Sequence, residues 1–240
     1  MGYKLTWMYI RPNGTEQKIR PTWWQPWANT VAYLKLNWNG TDSSGNWNNA
    51  TIYNPLWATE NWRQYLQWTY STDNSWCYAV LPVTPLSSEC TFQAWIKMDT
   101  NTLNYTMYMW CYTEWSDPWC FAAATMNSDY YWCPISNWSR LNPILDYGQE
   151  SIVTWWHLQT VTIKDGKQVF YLDWVSIGSN NRNDANRTAT NTVPFMLNTG
   201  NNLSRTASCI IWDFILESKS WTAQEVVDYY DLTKASYWIS

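Results

Sequence analysis

The segment "TVTIKDGKQVFYLD" constrains the fold more than any other part of the chain. Two apolar-alternating stretches meet at Asp165-Gly166, a residue pair suited to a two-residue type I′ hairpin turn, which needs positive φ at both positions. A hairpin alone is marginal in water, so it must find further strands. Apolar runs of strand length supply them at 31–36, 77–81, 91–98, 105–112, 120–125, 157–163, 168–172, 192–197 and 209–216, with polar turn clusters between. That spacing predicts an all-β jelly-roll sandwich of two antiparallel sheets. At 240 residues and 46% hydrophobic residues the chain can bury one sizeable core. The expected division is a domain over 29–240 preceded by a lead-in strand and linker over 1–28, arriving from an upstream repeat or domain of a longer multidomain chain.

One helix interrupts the strand pattern, in "SKSWTAQEVVDYYDLTK". Thr222 followed by Glu225 forms a capping box, in which each side chain satisfies the other residue's backbone N–H. Trp221 and Val226 flank the cap as a hydrophobic staple. Val226, Tyr229 and Tyr230 recur at helical spacing and should face the sheet.

The composition conflicts with so many turns. The chain holds 22 Trp and only 8 Gly, whereas ordinary usage predicts about 17 Gly in this length. Besides Trp221, six tryptophans directly follow a small turn-former: Trp38, Trp47, Trp62, Trp76, Trp138 and Trp174. Trp at positive φ costs about 1–2 kcal/mol where Gly costs almost nothing. These residues are either exposed aromatics for stacking on sugars or turn positions written with the wrong residue.

Several function classes are poorly supported. A net charge of -4 with 14% charged residues leaves no basic stripe for nucleic acid. No apolar run is long enough to span a membrane, so no membrane insertion is expected. The N-terminus has no apolar h-region of a signal peptide. The six cysteines, Cys77, Cys90, Cys111, Cys120, Cys133 and Cys209, form no CxxC pair. They read as small buried hydrophobes on strands or as one to three disulfides, with Cys111, Cys120 and Cys133 best placed on neighbouring strands. The single histidine, His157, excludes a zinc-type cluster, and no P-loop, GxGxxG, HExxH or GxSxG is present.

With glycine read at 38 and 47, "VAYLKLNWNGTDSSGNWNNATIYN" resembles the opening strand and "D-x-S-G-x-x-N" loop of LamG-like domains in the concanavalin A-like lectin/glucanase superfamily. "CTFQAWIKMDT" is similar to that family's core strand and keeps Trp95. "WHLQTVTIKDGKQVFYLDWVSIG" resembles its hairpin pair, with Trp156 and His157 matching and Trp174 where Gly is usual. "CIIWDFILESKSWTAQEVVDYY" resembles its closing strand and short helix, with Trp212 near the family's Gly. The resemblance covers 29–230 and makes His157 a structural strand residue. It also implies that Trp38, Trp47, Trp68, Trp76, Trp174, Trp212 and Trp238 stand for glycine codons, UGA in an organism that reads it as glycine, while Trp95, Trp156 and Trp221 are genuine.

The chemistry implied is recognition rather than catalysis. Glucanases of this superfamily carry paired carboxylates on one strand as "E-x-D-x-x-E", and that arrangement is absent; the nearest pairs are Glu114 with Asp117 and Asp213 with Glu217. No catalytic residue is therefore expected. Family members hold calcium between the early loop and the closing strand, which here would use Asp42, Asn46 and Asp213. Asx turns within the loop would use the same side chains of Asp42 and Asn46. The loops at 179–191 and 198–204 offer amide groups for sugar hydroxyls and are equally what solvated loops look like. The expected role is a non-catalytic glycan- or cell-surface-binding module at an extracellular or surface location. Its competitors are a ligand-free structural module of a large surface or phage-tail protein and, less favoured, a glycoside hydrolase.

Overall fold

The computed structural model describes residues 7–10, 16–19, 28–60, 63–68, 77–83, 89–98, 106–110, 119–126, 129–136, 139–140, 155–165, 167–181, 195–197 and 209–237. Seventeen strands and one helix occupy these segments. In chain order the strands are β1 (Trp7–Ile10), β2 (Glu16–Ile19), β3 (Thr30–Leu34), β4 (Thr51–Tyr53), β5 (Leu56–Glu60), β6 (Arg63–Trp68), β7 (Tyr78–Leu81), β8 (Glu89–Met98) and β9 (Thr106–Trp110). They continue with β10 (Trp119–Met126), β11 (Asp129–Ser136), β12 (Ser139–Arg140), β13 (His157–Lys164), β14 (Lys167–Leu172), β15 (Val175–Asn181), β16 (Phe195–Leu197) and β17 (Cys209–Glu217). The helix α1 is Ala223–Thr233, followed by a 3₁₀ turn at Lys234–Tyr237.

The expected β-sandwich is the fold observed. A seven-stranded antiparallel sheet runs β12-β11-β10-β9-β16-β7-β4. An eight-stranded sheet runs β15-β14-β13-β8-β17-β6-β5, and β3 joins it along the second half of β17. In the lead-in the chain pairs β1 with β2, so this segment holds a hairpin rather than one strand.

Period-2 alternation on β8 builds two separate cores. Phe92, Ala94 and Ile96 point between the sheets, where they meet Ala79 and Leu81 of β7, Leu197 of β16 and Ile211 of β17. Trp95 points the other way, into a second cluster with Trp156, Tyr171, Ile215 and the helix residues Val226, Tyr229 and Tyr230. The helix thus roofs the outer face of the eight-stranded sheet. Its N-terminus is fixed as the sequence predicts, with both bonds of the Thr222–Glu225 box present. Thr91 of β8 locks the approach: its hydroxyl donates to the Lys219 carbonyl at 2.8 Å and accepts from Trp221 N–H at 2.8 Å. Trp95 closes the other end, its indole N–H donating to Thr233 Oγ1 at 3.1 Å.

The predicted hairpins hold in register. Lys164 pairs with Lys167, with Asp165 at φ 48 and Gly166 outside the described residues, and Leu172 pairs with Val175 across Asp173-Trp174. In the second turn the left-handed residue is Asp173, at φ 58, rather than Trp174. Asp and Asn tolerate that region better than a bulky residue does, so the chain has shifted the strain one position back.

Cys77, Cys90 and Cys209 are buried thiols, which agrees with their reading as small core residues. Cys120 and Cys133 fall on the adjacent strands β10 and β11, while Cys111 lies outside the described residues.

Candidate functional site

The loop 37–50 is organised around Asp42. Its Oδ1 accepts from Tyr33 N–H at 2.9 Å and Ser44 N–H at 2.8 Å, and its Oδ2 accepts from Ser44 Oγ–H at 2.7 Å and Asn48 N–H at 3.0 Å. Asn46 turns its amide inward and donates to the Thr30 carbonyl at 2.5 Å. Closure of the loop brings Gly40 against Ala50, whose N–H donates to the Gly40 carbonyl. A Cβ on Gly40 would lie 2.1 Å from the Ala50 carbonyl oxygen, so only glycine fits there.

Asp213 lies elsewhere. It sits in a β-bulge of β17 at φ 49 and accepts from two phenols, Tyr33 Oη at 3.0 Å and Tyr237 Oη at 2.6 Å. Burial, and then the charge of Asp213, push both phenols well above their ordinary range, so they stay protonated and donate. The residues expected for calcium therefore do not form one donor set. Asp42 meets the backbone end of Tyr33 and Asp213 its hydroxyl end, and Asn46 presents a donor to the chain itself. Among the described residues no group of three or more His, Cys, Asp or Glu gathers.

The carboxylate pair Asp213 and Glu217 is likewise divided, since Glu217 accepts from Thr30 Oγ1 at 2.5 Å. Glu114 and Asp117 lie outside the described residues. His157 opens β13 and holds its Nδ1 3.1 Å from Asp173 Oδ2, while Leu158 N–H donates to Asp173 Oδ1 at 3.0 Å. Asp173 in turn donates its N–H to the Leu158 carbonyl. These bonds tie a hairpin turn to the neighbouring strand, which is the structural role the sequence gives His157.

The tryptophans differ in burial. Trp95, Trp156 and Trp221 are all buried. Trp38 is 61% exposed, Trp47 83% and Trp174 48%. Trp47 also has φ 63, the left-handed region that favours glycine. Trp38 does not, because the left-handed residue of its turn is Leu36 at φ 50. Trp212 is half-buried, between Trp156 and Tyr237. The side chain of Trp68, and Trp76 and Trp238 entirely, fall outside the described residues.

An exposed aromatic corner, absent from the sequence-based expectations, occurs where the two sheets reach an edge together. β4 is the last strand of the seven-stranded sheet and β5 the last of the eight-stranded sheet, and Asn54-Pro55 joins them. Tyr53 stacks on Tyr78 with ring centroids 4.5 Å apart and planes 11° apart. Trp57 lies 6.5 Å from Trp38, at 38°. Leu56 beside them is exposed as well. The available signal was Asn-Pro between two short strand-forming triplets, which marks a turn. Of the amide loops, only 179–181 is described, as the end of β15.

No family model matches the chain, and no curated relative does. Solved structures show the fold. The receptor binding domain of botulinum neurotoxin D is similar with TM-score 0.63 and 17% identity, over 85% of this chain and 52% of that one. A structure of botulinum neurotoxin type C, described as entering cells dependent on two ganglioside molecules, gives 0.62 and 12%, over 85% and 51%. Trypanosoma rangeli sialidase gives 0.62 and 14%, over 97% of this chain and 36% of that one. The chain spans about half the length of the toxin domains it matches. These likenesses show the fold, a β-sandwich. Among the described residues no helix is long and apolar enough to cross a membrane.

Proposed function

We propose that this chain is a non-catalytic recognition module of LamG-like type, binding a glycan or a cell-surface partner outside the cell, within a longer multidomain protein. The observation that carries this reading is that Tyr53 and Trp57, on the adjoining edge strands β4 and β5, keep their rings exposed although a core was at hand. A monomer gains nothing in solubility from such a patch, and patches of this kind mark binding surfaces. The fold supports the reading, since receptor and ganglioside binding are what the similar toxin structures are described as doing. Catalysis draws no support from the site: Asp213 and Glu217 address different partners, and His157 is engaged with a turn aspartate. A glycan array probed with the purified chain tests the proposal. Binding above background supports it, and a blank array with a folded protein favours the ligand-free structural module instead.

The same reading includes the codon proposal. Trp38, Trp47 and Trp174 stand in polar turns and are exposed, while the tryptophans matching the family's own are buried. This is what UGA codons decoded as glycine in the source and as tryptophan here would produce. The coding DNA decides it, and UGG at these positions removes the proposal.

A further inference from the structure

We propose that the β4–β5 corner takes the apolar face of a neutral, non-sialylated sugar, an inference that rests on the binding-module reading and specifies its ligand. A pyranose presents a face of C–H groups to an aromatic ring and a rim of hydroxyls to amides and carbonyls. The corner offers both. Trp57 and the stacked pair Tyr53–Tyr78 supply rings on two adjoining strands, fixed by the sheets rather than by a mobile loop. Asn39, Asn49 and Asn54 in the adjoining chain are exposed, the Oδ1 atoms of Asn39 and Asn49 accepting from Thr41 and Asp42 N–H. A protein-binding patch of standard size would need about 800 Å² on this side with an apolar centre. Here amides and threonines interrupt the rings every few residues.

Charge decides between neutral and acidic sugars. From Leu36 to Glu60 the chain carries no Lys or Arg, and neither does 77–83, which contributes Tyr78. The β6 residues opposite Leu56 and Trp57 are Gln67 and Leu66. The nearest preceding cation, Lys35, places its ammonium over the Tyr33 ring at 5.8 Å. A carboxylate bound here would lose hydration with no Lys or Arg on β4, β5 or β7 to replace it, the next cation along the chain being Arg63 of β6, which pairs with Glu60, and the chain's net charge of -4 would oppose it further. The corner therefore differs in ligand chemistry from a ganglioside or sialic-acid site. Trp38 adds a ring where the gene encodes tryptophan, and the inference stands without it.

The experiment is saturation-transfer NMR and tryptophan fluorescence titration of the purified chain with maltotetraose, cellotetraose, lactose and sialyllactose, repeated on Trp38→Gly, Tyr53→Ala and Trp57→Ala, each checked for an unchanged melting transition. The expected result is binding of at least one neutral sugar, retained in Trp38→Gly and weakened about fivefold or more in Tyr53→Ala and Trp57→Ala. Lactose and sialyllactose differ only in the sialic acid. A preference for sialyllactose overturns neutrality and leaves the binding-module reading standing. Neutral binding that both alanine variants leave intact overturns the corner alone. No binding of any of the sugars, joined to a blank glycan array, overturns the inference together with the reading beneath it.

Discussion

Glu217 and Thr30 face one another across the β17–β3 pairing, with Thr30 Oγ1 donating to Glu217 Oε1 at 2.5 Å and the second carboxyl oxygen buried without a hydrogen bond. Burial pushes the Glu217 carboxyl up to about 7, against the partial relief of the Thr30 bond and Lys219. Glu225 of α1 adds a like charge. Because the folded value lies above the unfolded 4.5, the native state binds the proton more tightly. The contribution to stability is complete below pH 4.5 and is lost as pH rises to about 7. The loss should be on the order of 2 kcal/mol. Urea unfolding between pH 4.5 and 8 measures it, and Glu217→Gln should remove most of this dependence and be the more stable protein at pH 8. An unchanged pH profile in Glu217→Gln would show that the carboxyl is solvated.

Trp47 and Trp95 should respond in opposite directions to truncation. Trp47 holds φ 63 with its ring in water, so Trp47→Gly relieves backbone strain and loses little contact. A gain of about 1 kcal/mol is expected. Trp95 is fully buried and bonded to Thr233, so Trp95→Ala should cost about 3–5 kcal/mol. Thermal melts of both variants check this, and a Trp47→Gly variant less stable than the parent contradicts the glycine reading at that turn.

Thr222 carries the helix start. Its hydroxyl accepts from Glu225 N–H at 3.2 Å, and Glu225 Oε2 accepts from Thr222 N–H at 2.8 Å. Thr222→Ala should cost about 1 kcal/mol, and Thr222→Ser almost nothing. The helix also roofs Trp95, so the loss should appear as faster hydrogen exchange in α1 before it appears in the sandwich core. Equal exchange across both would mean that helix and sheet open as one unit.

What the sequence disclosed follows the range of its interactions. The α1 cap and the Asp173-Trp174 turn were legible because each is written within a few residues, as side-chain spacing or turn chemistry. The nine predicted strands appear because their apolar faces are long enough to show a period. β4 and β5 were not legible: "TIYNPLWATE" has no alternation, and its strands are short edges that pair on one side only. The corner follows from two sheets ending at the same place, a fact of topology that no window contains. The Asp213 cluster is hidden for the same reason, since Tyr33 and Asp213 meet from opposite ends of the chain. The expected calcium residues show the same limit of a linear reading, since Tyr33 bonds Asp42 through its backbone N–H and Asp213 through its hydroxyl.

The Asp42 loop allows a last comparison. A calcium site draws its carboxylate oxygens from hydrogen bonds to the metal, and its removal unfolds the loop. Asp42 instead caps four donors of its own chain, so the loop should be complete without an ion. Excess EDTA should leave the melting temperature unchanged, and added calcium should raise it by no more than the scatter between melts. Asp42→Ala should cost at least about 2 kcal/mol, because Tyr33 N–H at the core's edge loses its acceptor. Asp42→Asn should fall between, since the amide keeps one acceptor and turns a donor toward the Ser44 and Asn48 donors. A drop in melting temperature with EDTA that calcium reverses, and that Asp42→Ala abolishes, would instead make the loop a metal site whose ligands rearrange on binding.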